Sequence, residues 1–184
     1  MRKQLVKTIT WTEVHKGHVY LYGTQLQLVG KTLHYHNPLL ASGKPLLKFD
    51  SRTNYQGDRR SPDLPLLLPN CTYELSAAFE TVPADRAYLQ VDFYNRQNEV
   101  IWSYIQREKV GQFTCPEETF TYQILLFSAG CSDLTFDHFT LSLLEPQHNL
   151  TTYAMKTRGY LSDKIPEELS LVAPLIRSIK EEEE

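Results

Sequence analysis

The chain has 184 residues, 41% hydrophobic and 22% charged, which suits one domain with a full core or one domain plus an appendage. It carries 19 basic and 22 acidic side chains, and four of the acids are the run Glu181–Glu184. The body is therefore close to neutral, which argues against a basic nucleic-acid surface and leaves the acidic run as a solvated tail.

Three cysteines, Cys71, Cys115 and Cys131, form no CxxC pair. An odd number in a chain of this size fits a reduced, cytosolic protein better than a disulfide framework or a zinc ribbon. Met1-Arg2-Lys3-Gln4 leads into alternation, not an apolar run, so no signal peptide is expected. No stretch has the length to cross a bilayer. The sequons at Asn70 and Asn149 carry no weight without a secretion signal.

In chain order, Gln4–Trp11 reads as a strand, and a turn follows at His15-Lys16-Gly17. His18–Tyr22, Gln25–Val29 and Thr32–His36 read as three short strands, and Asn37-Pro38 ends the last. Lys44–Asp50 precedes a long loop. Period-two alternation is clearest in Thr72–Glu80, where Tyr73, Leu75, Ala77 and Phe79 share a face. In Arg86–Tyr94 it sets Ala87, Leu89, Val91 and Phe93 against Tyr88, Gln90, Asp92 and Tyr94. Such alternation marks antiparallel strands with one face in a core. Asn95-Arg96-Gln97-Asn98 turns into Glu99–Gln106. Arg107–Glu118 is expected to be a loop. Phe120–Phe127 places Phe120, Tyr122, Ile124 and Leu126 on one face. Leu134–Leu144 changes parity between Phe136 and Phe139, which predicts a bulge near Asp137-His138.

Nine or ten short strands with no helical pattern before residue 150 predict an all-β fold, an antiparallel β-sandwich or a barrel, spanning residues 1–145. Residues 146–184 read as a polar linker and a partly helical acidic tail. Ser162-Asp163 would cap that helix, and Pro174 would break it.

Catalytic signatures are lacking: there is no G-x-S-x-G elbow, no phosphate-binding glycine loop and no H-E-x-x-H helix. His34 and His36 share a strand face, but no acidic residue follows until Asp50, so no metal or other cofactor is expected. Binding fares better. Tyr88 and Tyr94, with Gln90 and Asp92 between them, present rings and polar groups that suit a protein contact or, as the second choice, a sugar.

The segment Ser51-Arg52-Thr53-Asn54-Tyr55-Gln56-Gly57-Asp58-Arg59-Arg60, running on to Pro69, cannot be a helix or a central strand, because Pro62, Pro65 and Pro69 remove donors and fix φ. Taken alone it reads as a connector that satisfies its own backbone, although long polar loops also carry sites.

Ser51–Gly57, Pro62–Leu67, Cys71-Thr72-Tyr73, Val91–Gln97, Phe113–Glu118 and Tyr122–Cys131 together resemble the family of the third accessory secretory protein of the bacterial accessory Sec system. Lys3–Ile9 and Tyr20–Thr24 fit as well, so the likeness spans roughly residues 2–144. The resemblance implies a jelly-roll sandwich like a carbohydrate-binding module, with no established catalytic residues. It also implies a cytoplasmic protein, peripheral to the membrane, that serves export of O-glycosylated serine-rich repeat adhesins. The partners it implies are two companion accessory proteins, one glycosyltransferase-like and one acetyltransferase-like, the accessory Sec ATPase, and the adhesin itself. The expected contact residues are Arg52, Asn54, Tyr55, Gln56, Tyr88 and Tyr94. A stand-alone carbohydrate-binding or sugar-active protein is the alternative.

Overall fold

The computed structural model describes residues 2–11, 17–54, 56, 59–145, 160–161 and 178–179. The chain divides into two compact units, Met1–Pro146 and Gln147–Glu184. Among the described residues the second unit holds the parallel pair Tyr160–Leu161 and Ser178–Ile179. The expected tail helix lies outside the described residues.

The first unit contains ten strands: β1 (Arg2–Thr10), β2 (Gln25–Val29), β3 (Thr32–His36), β4 (Pro45–Asp50), β5 (Thr72–Val82), β6 (Ala87–Tyr94), β7 (Val100–Gln106), β8 (Val110–Thr114), β9 (Thr121–Ser128) and β10 (Asp133–Glu145). One sheet has the order β2-β3-β10-β5-β8, with β1 also paired to β10, and the other has the order β4-β9-β6-β7. From β3 to β10 the chain crosses between the sheets at every connection except the β6–β7 hairpin, so that 3-10-5-8 faces 4-9-6-7. That is the winding of an eight-stranded jelly roll.

Alternation places the core as the sequence requires. Tyr73, Leu75, Ala77 and Phe79 are buried, as are Ala87, Leu89, Val91 and Phe93. The pairing of β10 with β5 skips between Phe136 and His138. Asp137 is therefore the bulged residue, and Phe136 and Phe139 both reach the core with centroids 4.8 Å apart. Phe49 of β4 meets them from the opposite sheet, 5.7 Å from Phe136 and 5.2 Å from Phe139. Trp11 stands edge-on to Phe49 at 5.8 Å.

Three expectations are corrected. His18–Tyr22 is not a strand. Only Val19 bridges to Leu47, and the chain then turns with Thr24 N donating to Leu21 O. Gly23 sits at φ 69° in that turn, a conformation that suits glycine. The second correction lies in Arg107–Glu118, which contains β8. There Gly111 lets the backbone approach Tyr104 and Gln106, with which a Cβ would collide. Gln106 is buried and donates through Nε2 to Leu75 O at 3.1 Å and Glu108 O at 2.9 Å. Third, Phe120 has core parity, but it precedes β9 and is 43% exposed.

The cysteines are free thiols. Cys115 and Cys131 are buried, and burial pushes both thiols above their ordinary pKa. Cys115 lies between β8 and the start of β9, and Cys131 follows the end of β9. The two therefore mark opposite ends of the sandwich.

Candidate functional site

Two sets of residues in the loop after β4 do different work. Ser51, Thr53, Arg60 and Asp63 hold the loop. Ser51 N donates to Tyr122 O, and Ser51 Oγ accepts from Tyr122 N at 2.8 Å. Thr53 Oγ1 donates to Arg60 O at 2.8 Å. Tyr122 Oη donates to Pro65 O at 2.7 Å, and Tyr73 Oη accepts from Leu68 N at the same distance. Two core tyrosines thus pin the proline-rich half of the loop. Burial raises the Tyr122 phenol far above its ordinary value, so it stays a donor at any physiological pH.

The strongest lock is ionic. The Arg60 side chain is 8% exposed, and its Nη1 donates to both carboxylate oxygens of Asp63 at 2.9 and 3.0 Å. Its other amino group lies 3.6 Å from Asp50 Oδ2 and 2.8 Å from His18 Nε2. Asp50 also takes His18 at 3.1 Å and Lys48 at 3.5 Å. Nothing in the sequence singled out Arg60, because its partners come from segments 10 and 42 residues away. The only hint was the charge-bearing Arg60-x-x-Asp63 spacing.

Burial raises the Asp50 carboxyl above its ordinary pKa, although Lys48, His18 and Arg60 oppose the shift. Between the unfolded value of 3.8 and the raised folded value, the folded chain holds this proton more tightly than the unfolded chain. This group's contribution is therefore most favourable at low pH, and it declines as pH rises through that window. The parent's stability minus that of Asp50→Asn is expected to fall across the window and then level off, read by urea titration at a series of pH values. A rise with pH would contradict the assignment.

Arg52, Asn54 and Gln56 are exposed. Tyr55 lies outside the described residues. Arg52 and Asn54 line a cleft of about 560 Å³ at the end of the β4-β9-β6-β7 sheet. The 95–98 hairpin turn forms the facing wall. In that turn Asn98 N donates to Asn95 O, and Asn98 adopts φ 64°, as a three-residue hairpin loop requires. Asn95 Oδ1 accepts from Gln97 N at 3.0 Å and Glu99 N at 2.9 Å, which stiffens the wall. Phe120 lies between the walls. Arg52 Cζ stands 5.1 Å from its ring centroid and Arg96 Cζ stands 5.6 Å from it.

The remaining expected residues share the sheet face but not the cleft. Tyr94 is half-buried, and its Oη donates to Gln123 Oε1 at 3.2 Å, beside the cleft. Tyr88 is at the far end of β6, about 20 Å away for six residues of extended chain. Its ring lies flat on Phe127 at 5.2 Å and 7°. One ring face is thus occupied, and Tyr88 is not the open platform that alternation suggested. Asp92, between them, is 8% exposed and accepts from Ser103 Oγ at 2.5 Å and Gln90 Nε2 at 2.8 Å. Phe120 and Arg96 are the cleft residues that sequence reasoning missed.

His34 and His36 lie on the other sheet. His36 Nδ1 is 2.6 Å from Asp133 Oδ1, and His34 Nδ1 is 3.4 Å from Thr135 Oγ1. Hydrogen bonds from Ser132 and His36 hold the Asp133 carboxyl below its ordinary pKa. Among the described residues, no group of three His, Cys, Asp or Glu side chains is arranged to hold a metal ion. No helix among them is long and apolar enough to cross a membrane.

Residues 19–143 match the family described as the accessory Sec secretory system's accessory secretory protein 3. The corresponding accessory Sec system protein of Streptococcus gordonii is 32% identical over 145 residues, covering 74% of this chain and 91% of the relative. The crystal structure of accessory secretory protein 1, 2 and 3 in Streptococcus pneumoniae holds a chain with TM-score 0.71 and 37% identity. That match covers 75% of this chain and 96% of that one. A chain of the glycosylation associate protein (Gap123) complex from Streptococcus agalactiae gives TM-score 0.69 at 32% identity. It covers 91% of this chain and 49% of that longer one.

Proposed function

The chain belongs to the accessory secretory protein 3 family of the accessory Sec system, and on that premise we propose that it is a non-catalytic subunit of an accessory secretion assembly, built to hold companion proteins together. The observation that carries this reading is the division of labour in the loop after β4. The buried Arg60 side chain, held on half-buried Asp63, fixes the loop while Arg52, Asn54 and Gln56 are presented outward. A loop held this firmly loses little conformational entropy when it meets a partner. The two structural relatives come from complexes of accessory secretory or glycosylation-associated proteins, which supports companion proteins of the same kind as partners. In this reading the protein works in the cytoplasm, at the inner face of the membrane, with the accessory Sec ATPase. The exported cargo is an O-glycosylated serine-rich repeat adhesin. Glycan contact through Tyr88 is the weaker reading, because Phe127 covers one face of that ring.

The test is co-purification of the full chain with its two companion proteins. The parent is expected to form one stoichiometric complex. Arg52→Ala combined with Tyr55→Ala is expected to weaken capture at least tenfold, with the melting temperature within about 4 °C of the parent. Undiminished capture by the folded variant would remove this surface from the assembly.

A further inference from the structure

The cleft beside the loop has a chemistry that goes beyond partner contact in general. Arg52 and Arg96 come from different segments, yet both guanidiniums are gathered over one ring, that of Phe120. Like charges brought together repel, and the ring quadrupole offsets only part of that repulsion. Neither guanidinium forms an ion pair among the described residues. Asp50 is the one acidic residue among the described lining residues, and His18, Lys48 and Arg60 already surround it. Among the described residues the cleft therefore presents two uncompensated positive forks on a rigid base. Around them stand amide donors: Asn98, and Gln123, whose Oε1 is taken by Tyr94 while its N–H groups take no partner among the described residues.

We propose that this cleft is a carboxylate-recognition site for an acidic, extended segment of a companion protein, with Arg52 and Arg96 taking the carboxylates over the Phe120 ring. The planar guanidinium fork matches a carboxylate with two parallel hydrogen bonds. The half-exposed ring gives the aliphatic part of an Asp or Glu side chain a surface to lie on. Size favours a peptide over a lone ion, since one water occupies about 30 Å³ and this cleft is about 560 Å³. The lining also favours carboxylate over phosphate. Among the described residues that line it there is neither lysine nor glycine, whereas phosphate cradles are built from glycine-rich backbone nests, helix N-termini and lysine. The inference rests on the assembly reading above and names the chemistry of its contact.

The test is NMR titration of the isotopically labelled full chain with the peptide acetyl-Gly-Asp-Glu-Gly-amide, its Asn/Gln counterpart, and inorganic phosphate. The acidic peptide is expected to saturate and to shift the side-chain signals of Arg52, Arg96 and Asn98. The neutral peptide and phosphate are expected to bind at least tenfold more weakly. Arg52→Gln or Arg96→Gln is expected to weaken the acidic peptide about tenfold, and salt is expected to weaken it further. Both variants keep part of the aliphatic stem and an uncharged polar end, and neither arginine is buried. No saturation, equal binding of the neutral peptide, or tighter binding of phosphate overturns the proposal. Companion capture separates the two readings. If the peptide binds and Arg96→Gln leaves capture intact, the carboxylate site stands and the contact surface falls. If capture is lost while the parent binds no acidic peptide, the contact surface stands and the carboxylate site falls.

Discussion

Replacing Arg60 with alanine is expected to destabilise the sandwich by about 3 kcal/mol, the usual consequence of removing one member of a buried ion pair. The loss arises from what remains, not from the contact removed. Asp50 is 8% exposed, and it would keep only Lys48 and His18 against the cost of burying its charge. Asp63 would lose a two-point grip at 2.9 and 3.0 Å. Arg60→Lys is expected to recover less than half of the loss, because one ammonium nitrogen cannot hold Asp63 and also reach Asp50 and His18, as the two guanidinium nitrogens do. Arg52→Ala, eight residues earlier, is expected to change stability by less than about 1 kcal/mol, as an exposed cation–π contact should. Urea unfolding of the three variants reads these differences. Equal losses for Arg52→Ala and Arg60→Ala would undo the separation between the residue that holds the loop and the residue that faces outward.

The second large effect belongs to the core. Phe49→Ala is expected to cost about 3–5 kcal/mol. Phe49 is 2% exposed, and it is the β4 side chain that meets Phe136 and Phe139 of the opposite sheet and Trp11, just past β1. Those neighbours are held by strand pairing, which limits inward movement, so the vacated space would stay largely open. Denaturant unfolding followed by tryptophan fluorescence should show a lower midpoint with an unchanged slope. A loss under about 1 kcal/mol would mean that the two sheets close over the gap.

How much of this was legible depends on how far apart the cooperating residues lie in the chain. The core faces of β5, β6 and β9 follow from period two alone, because a residue's side of a sheet is a local property. The bulge at Asp137 was legible for the same reason: Phe136 and Phe139 cannot both be inward on a regular strand. β8 was not, because Val110-Gly111-Gln112-Phe113-Thr114 has a glycine where alternation needs a side chain. The reason for that glycine is the approach of Tyr104 and Gln106, which only the fold reveals. Tyr20, Leu21 and Tyr22 looked like a strand by composition. Tyr22, however, is 83% exposed, and the segment only borders β4 through Val19. The site divides in the same manner. Arg52 and Asn54 were legible as a polar, aromatic-rich loop. Arg60 was not separable from them, since Arg52, Arg59 and Arg60 are chemically alike until His18, Asp50 and Asp63 are placed. Phe120 was grouped with the face of Tyr122, Ile124 and Leu126, but parity holds only inside a strand, and β9 begins one residue later.

The two buried thiols make the molecule its own stopwatch. Only a thiolate attacks an alkylating reagent, and burial holds Cys115 and Cys131 in the protonated, sheltered form. Each can therefore react only while its end of the sandwich is momentarily open. Because the two lie beyond opposite ends of β9, their relative labelling rates distinguish a sandwich that opens as one body from one that frays end by end. No foreign probe is needed: equal rates mean that the cleft end and the far end open together, and unequal rates mean that each end has its own clock.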